Sequence, residues 1–167
     1  MAATSQVATD VVKATTVVEQ MSDVLVRRAA QTLCDSLYGN LPGISEAQLS
    51  NLVNVAASAR SLYEIIAFVM YQIGRSGSSR DWNEKSEAGR CAFGEAILRQ
   101  LTGQESQTAV AELKDRAANI GMPADLVILF GVRKYVGYLR QLHKYLQKAE
   151  LKERWEYVRK LAEQDSH

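Results

Sequence analysis

The sequence predicts an all-α fold, a single helical domain spanning residues 1–167 as a bundle of five or six helices. The strongest signal lies between Leu126 and Ala149, where apolar residues recur at alternating steps of four and three. This spacing keeps them on one face of an α-helix over three heptads. They are Ile128, Val132, Tyr135, Leu139, Leu142, Leu146 and Ala149. The 167 residues include only two prolines, and hydrophobic residues make up 47%, so we expect a helical core.

The first predicted helix runs from about Val7 to Tyr38, because apolar residues return at helical spacing throughout this stretch. We expect one break near Ser22. The residues before it, 1–7, are small and polar and are predicted to be disordered. The segment Gly39–Gly43 ends the helix, since glycine accepts a left-handed cap and proline cannot extend the hydrogen-bond ladder.

A second helix begins at Ser45, whose hydroxyl and the Gln48 side chain form the pattern of a capping box. Its apolar residues continue to Ile73, and the run from Ile65 to Met70 is apolar almost all round. We therefore predict one continuous helix that is the most buried in the protein. The glycines and serines that follow predict a flexible loop over residues 74–83.

The remaining boundaries are marked by glycines. Helices are predicted from about Glu84 to Leu101 and from about Ser106 to Asn119, ending at Gly103 and Gly121. The helix with the heptads follows and ends near Ala149. Beyond it the apolar residues slip out of register, so residues 151–164 are expected to form a separate terminal helix.

Charge is distributed unevenly along the chain. Residues 1–125 have a net charge of −3 and residues 126–167 a net charge of +4, and no Asp or Glu occurs between Leu126 and Ala149. Cations beside an apolar seam can neutralise phosphates without reading base sequence, and Tyr138 beside them is suited to stacking. Equally, the charges can be solvated surface and the tyrosines part of the core. The predicted nucleic-acid contacts are Arg133, Lys134, Arg140, His143, Lys144 and Lys148.

The sequence contains no pattern typical of an active site. Cys34, Cys91 and His143 have no close-spaced partners, so we predict no metal site and no cofactor. Glu84 and Glu87 are three apart on a predicted helix, and we interpret them as surface carboxylates at a helix start rather than an acid–base pair. Both cysteines are interpreted as free, buried thiols of a cytoplasmic protein. The protein is predicted not to be an enzyme.

Two segments resemble a known family. The run from Arg133 to Ala149, RKYVGYLRQLHKYLQKA, resembles the closing helix of the small helical subunits of type III CRISPR effector complexes (the Cmr and Csm types). The segment from Ser61 to Val69, SLYEIIAFV, is similar to the central buried helix of that family, with its Ala-Phe core pair.

The resemblance implies a non-catalytic subunit of a ribonucleoprotein with a role in antiviral defence. Several copies would associate with one another in a filament, contact other subunits of the effector, and line the backbone of the guide RNA and the target RNA with their basic helix. The alternative is a helical adaptor that binds only proteins. Its interface would then be centred on Trp155 and Tyr157, an aromatic pair in the terminal helix.

Overall fold

The structure is a computed structural model that describes residues 2–41, 44–75, 82–147 and 151–164. The described residues form one all-α domain, which confirms the predicted fold class. The helix count differs, since the described residues contain eight helices where five or six were expected. They are α1 (Ala2–Gln20), α2 (Ser22–Leu37), α3 (Glu46–Ser58), α4 (Leu62–Arg75), α5 (Phe93–Thr102), α6 (Ala109–Asn119), α7 (Ala124–Leu146) and α8 (Leu151–Glu163).

Helix α7 is the centre of the bundle. It packs against α1, α2, α3, α4, α6 and α8, whereas α2 packs mainly against α5, α7 and α8. The predicted heptad residues are buried, apart from Leu142, which is half-buried, and Ala149, which lies outside the described residues. Burial of such a continuous apolar face is the main driving force for a helical bundle.

The break predicted near Ser22 is confirmed, because α1 ends at Gln20 and α2 begins at Ser22. Residues 2–7 were expected to be disordered, but the structure includes them in α1 with exposed side chains. Local hydrogen bonds that are compatible with a helix occur there, such as that from Thr9 Oγ1 to the carbonyl of Ser5 at 2.9 Å. Gly39 ends α2 with a left-handed φ of 83°, as predicted.

The predicted helix from Ser45 to Ile73 is divided into two. Its capping box is present, with Gln48 N bonded to Ser45 Oγ at 3.2 Å and Ser45 N bonded to Gln48 Oε1 at 2.8 Å. Ala59, however, is extended and ends α3. The prediction that this element is the most buried is also wrong. Helix α4 buries only Ile65 and Val69, whereas α7 buries residues along its whole length.

The predicted helix from Glu84 begins only at Phe93. Residues 84–92 instead lie against the end of α2, where Ser86 N donates to the carbonyl of Ser36 at 2.7 Å. Arg90 N donates to the carbonyl of Asp35 at 2.6 Å. Gly89 permits this approach, since a Cβ there would lie 2.3 Å from the Ser36 oxygen. The segment thus satisfies carbonyls that a helix end leaves free.

The structure describes only the two ends of segment 74–83, which was predicted to be a flexible loop. Gly74 and Arg75 belong to α4, and residues 76–81 lie outside the described residues. Trp82 is buried, with Phe93 5.5 Å away between ring centroids. The separation of α8 from α7 agrees with the prediction, since α7 ends at Leu146 and α8 begins at Leu151.

Both cysteines are free, as predicted. Cys91 is buried and Cys34 is half-buried. Burial, reinforced by the neighbouring Asp35 carboxylate, raises the pKa of the Cys34 thiol to about 12, so the thiol stays protonated at neutral pH and is a poor nucleophile. None of the described helices combines the length and the apolar character that crossing a membrane requires.

Candidate nucleic-acid interface

The solvent side of α7 follows from the rotation of about 100° per residue. Opposite the buried heptads lies a strip of residues that we call the outer face of α7, and its centre is Gly137 and Gln141. The flanking side chains include exposed lysines and tyrosines that are exposed or half-buried. The outer face comprises Lys134, Gly137, Tyr138, Gln141, Lys144 and Tyr145.

Arg133, a predicted phosphate contact, is engaged inside the protein. Its Nε donates to the carbonyl of Ala56 at 2.8 Å and its Nη2 donates to the carbonyl of Ala59 at 3.0 Å. The guanidinium therefore caps the C-terminal end of α3, where free carbonyls and the negative end of the helix dipole favour a cation. Arg133 does not belong to the outer face, and its predicted role as a phosphate contact is not supported by this geometry.

Arg140 and Lys144 share one carboxylate. Lys144 Nζ lies 2.6 Å from Glu46 Oε2, and Arg140 Nη2 lies 3.8 Å from Glu46 Oε1. The hydrogen bond from Lys144 is the main reason why the pKa of Glu46 lies below its usual value. These pairs are at the surface, where water screens them, so the cations remain available to another anion. The cluster of two cations and one carboxylate keeps a net positive charge.

Lys134 has the fewest contacts among the predicted cations that the structure describes. Its side chain is exposed and forms no hydrogen bond or ion pair with any residue that the structure describes. Gln141 is exposed and likewise unpaired within the described part of the chain, and Tyr138 is half-buried beside it. Lys148, the last of the predicted contacts in this stretch, lies outside the described residues.

His143 is not at the surface as a nucleic-acid contact requires. Its side chain is fully buried, and Nε2 lies 3.0 Å from the carbonyl oxygen of Ile44. A carbonyl oxygen only accepts hydrogen bonds, so Nε2 carries the proton and Nδ1 is unprotonated. Nδ1 is buried and has no partner among the described residues. The prediction for His143 is wrong because residue 143 falls on the heptad side of α7.

The buried imidazole makes stability depend on pH. Burial lowers the pKa of His143 below its ordinary value of 6.5, so the unfolded chain binds a proton more readily than the folded chain does. The free energy of unfolding should therefore fall as pH decreases from 6.5 towards the folded-state pKa. Urea unfolding between pH 7.5 and 5 measures this loss, which His143→Gln should reduce.

His167 provides the matched control, since it is the only other histidine of the chain. The variant His167→Gln should retain the pH dependence of the unaltered protein. If His143→Gln and His167→Gln lost stability equally over this range, the loss would come from groups other than His143.

The two residues predicted for a protein interface differ in their environments. Trp155 is 1% exposed and packs on Tyr38, with ring centroids 5.4 Å apart. It belongs to the core, so its prediction as an interface anchor is wrong. The reason is that α8 folds back onto α2 with its apolar face inward. Tyr157 is 54% exposed, and Lys160 Nζ lies 5.8 Å from its ring centroid.

One cation near the outer face was missed in the sequence. Arg154 of α8 lies over the ring of Tyr145, with its Cζ 4.9 Å from the centroid, and its Nη1 donates to the Tyr145 carbonyl at 2.7 Å. It adds positive charge at the C-terminal end of α7. No local pattern could predict this contact, because it depends on how α8 turns back after α7.

Two further predictions concern catalysis and metals. Glu84 and Glu87 do not share a helix face, because the described chain is irregular between Trp82 and α5. Within the described residues, no group of three or more His, Cys, Asp or Glu side chains is placed to hold a metal ion.

Comparisons with protein-family models, with curated proteins and with solved structures give no match to this chain. The family resemblance of the two segments therefore stays a prediction. Of its Ala-Phe pair, Phe68 packs against Trp82 with ring centroids 6.5 Å apart, whereas Ala67 is exposed.

Proposed function

We propose that this protein is a non-catalytic RNA-binding subunit of a ribonucleoprotein, of the kind represented by the small subunits of type III CRISPR effector complexes. The observation that supports this proposal best is the outer face of α7. It combines two exposed lysines with tyrosines and an unpaired glutamine, and Glu46 is the one carboxylate that the described residues place in ion-pair distance of its cations.

The chemistry of this face suits a nucleic-acid backbone. Lysine ammonium groups contact phosphates as point charges and release condensed counterions, which gives affinity without base specificity. The half-buried ring of Tyr138, and the face of the Tyr145 ring that Arg154 does not cover, offer aromatic surface for stacking on bases or ribose. Gly137 directly precedes Tyr138, and no atom lies within 4 Å of the position of a Cβ there, so a nucleic-acid backbone can approach α7 closely at this point.

In this proposal the partners are the guide RNA and the target RNA, held through backbone contacts, together with other effector subunits and further copies of the same chain. Few base-reading side chains accompany the lysines, so recognition follows the shape and charge of the RNA. Cleavage would belong to other subunits of the assembly. The protein would act by positioning RNA along a path.

The test is binding of a short single-stranded RNA by the variant Lys134→Gln/Lys144→Gln. We expect the affinity for RNA to fall roughly five- to thirtyfold, because two phosphate contacts are lost. The loss should be the same for several unrelated RNA sequences. Fluorescence anisotropy with labelled RNA measures the change. The matched control is Lys13→Gln/Lys85→Gln, which removes two exposed lysines from α1 and from the segment before α5.

An unchanged affinity in the outer-face variant, or an equal loss in the control, would contradict the assignment of this face. A loss confined to one RNA sequence would contradict backbone recognition.

A second candidate is the protein-only adaptor, and the exposed face of α4 favours it. Tyr63, Met70 and Tyr71 are 79%, 53% and 61% exposed on one helix, which is unusual for a surface without a partner. This face replaces Trp155 as the candidate anchor. The RNA experiment separates the two functions, since an adaptor shows no RNA binding by the unaltered protein at low salt.

A further inference from the structure

The first half of α1 lies at the surface of the bundle. The side chains of residues 2–9 are all exposed, on every side of the helix. Further along α1, Ala14 and Val18 are buried against the bundle. The line that they form continues towards the N-terminus at helical spacing, through Val11, Val7 and Ala3. We call these three residues the α1 ridge; Val7 is 62% exposed and Val11 is 36% exposed.

The second uncovered face lies on α4, on the side away from the buried Ile65 and Val69. Its side chains are exposed and mostly large, and they recur at steps of four, three and one. Large exposed aromatic and methionine side chains in one patch are typical of protein interfaces. The α4 patch comprises Tyr63, Ala67, Met70 and Tyr71.

We propose that the α1 ridge of one copy of this chain docks on the α4 patch of the next copy. The ridge offers small apolar side chains and the patch mainly large ones, so that small residues of one copy would lie against large residues of the next. One pair of opposite charges can form across the contact, between Asp10 beside the ridge and Arg75 beside the patch, which the exposed Glu64 also borders. Asp10 flanks the ridge and Arg75 stacks on Tyr71 at 5.9 Å, and neither forms an ion pair with a residue that the structure describes.

The contact joins two different surfaces, so it is heterologous. Such contacts produce rings or open filaments rather than closed dimers. A contact of a few helical turns is at the small end of interface sizes, so association should be weak and concentration dependent. The inference rests on the proposed function, because this contact would be the one through which copies of the chain stack along RNA. The contact itself needs no RNA.

Sedimentation velocity without RNA, from about 10 to 500 µM protein, tests the proposal in the concentration range of weak interfaces. We expect the unaltered protein to form oligomers larger than a dimer as its concentration rises. Val7→Asp and Met70→Asp should each remain monomeric. Val12→Asp is the matched control, because Val12 is 66% exposed on the other side of α1, and this variant should assemble normally.

Mixing the two monomeric variants gives the sharpest result. The Val7→Asp protein keeps its α4 patch and the Met70→Asp protein keeps its α1 ridge. An equimolar mixture should therefore form a one-to-one complex and nothing larger. A monomeric unaltered protein, continued assembly of either variant, or a mixture that stays monomeric would each overturn the proposal.

The RNA affinity of the Val7→Asp protein separates this proposal from the proposed function. On a short RNA that seats one copy, the variant should bind as the unaltered protein does. Loss of assembly with intact RNA binding supports both proposals, whereas assembly without RNA binding supports the contact and contradicts the RNA-binding function.

Discussion

Replacement of Trp155 by alanine is expected to lower the free energy of unfolding by about 3–5 kcal/mol, the usual cost of removing a large buried aromatic side chain. Trp155 is 1% exposed and fixes α8 against α2 through its contact with Tyr38. The indole fills space that an alanine leaves empty, and the cavity adds to the lost transfer free energy. Equilibrium unfolding in urea, followed by circular dichroism, measures this change.

The neighbouring Tyr157 provides the control. It lies on the same helix but is 54% exposed, so Tyr157→Ala should change the free energy of unfolding by no more than about 0.5 kcal/mol. If Trp155→Ala were as stable as Tyr157→Ala, Trp155 would not be a core residue, and its assignment as an interface anchor would have to be restored.

Replacement of Arg133 by methionine is expected to lower the free energy of unfolding by about 2–4 kcal/mol. The variant loses two charge-assisted hydrogen bonds, each worth about 1.5–3 kcal/mol, and their contributions are not additive because one side chain donates both. The bonds join the guanidinium to the carbonyls of Ala56 and Ala59. Methionine keeps much of the apolar stem but leaves the α3 carbonyls without this donor. Urea unfolding again measures the change.

The adjacent Lys134→Met is the matched control, and we expect a change within about 0.5 kcal/mol because Lys134 is exposed and unpaired in the described structure. Arg133→Lys should recover only part of the loss, since one ammonium group does not reproduce the planar fork of a guanidinium. If Arg133→Met were fully stable and bound RNA weakly, Arg133 would be a phosphate contact, as its sequence environment suggests.

The local features of the fold were predictable from the sequence. The capping box at Ser45, the left-handed glycines at 39, 103 and 121, and the buried face of α7 each depend on residues close together in the chain. Such features follow from helix geometry and from the conformational freedom of glycine.

The departures from prediction come from contacts between distant residues. Helix α3 ends before Ala59, and the carbonyl of Ala59 accepts a hydrogen bond from Arg133, 74 positions further along the chain. The segment before α5 is irregular because its amides reach the end of α2. A helical pattern alone therefore predicted longer helices than the structure contains.

The candidate interface was predictable only in part. The basic side of α7 could be predicted from the sequence. Which of its cations are exposed and which form contacts inside the protein could not. Glu46, which pairs with Lys144, is 98 positions away, and the capping role of Arg133 depends on the packing of α3 against α7. His143 was wrongly predicted to contact nucleic acid because it was grouped with the basic residues, although its position relative to the heptads places it on the buried side of α7. The candidate interface therefore consists of the exposed Lys134 and Lys144 with the half-buried Tyr138 and the exposed Tyr145.

The central claim, that the outer face of α7 holds an RNA backbone, is tested most directly by the salt dependence of RNA binding. For single-stranded RNA, each phosphate contact contributes about 0.7 to the slope of log affinity against log salt concentration. The unaltered protein should show a steep linear loss, and Lys134→Gln/Lys144→Gln should reduce the slope by about 1.4. Glu46→Gln should bind more tightly, since it removes the carboxylate that competes with phosphate for Arg140 and Lys144. An identical slope in the unaltered and variant proteins would contradict the claim.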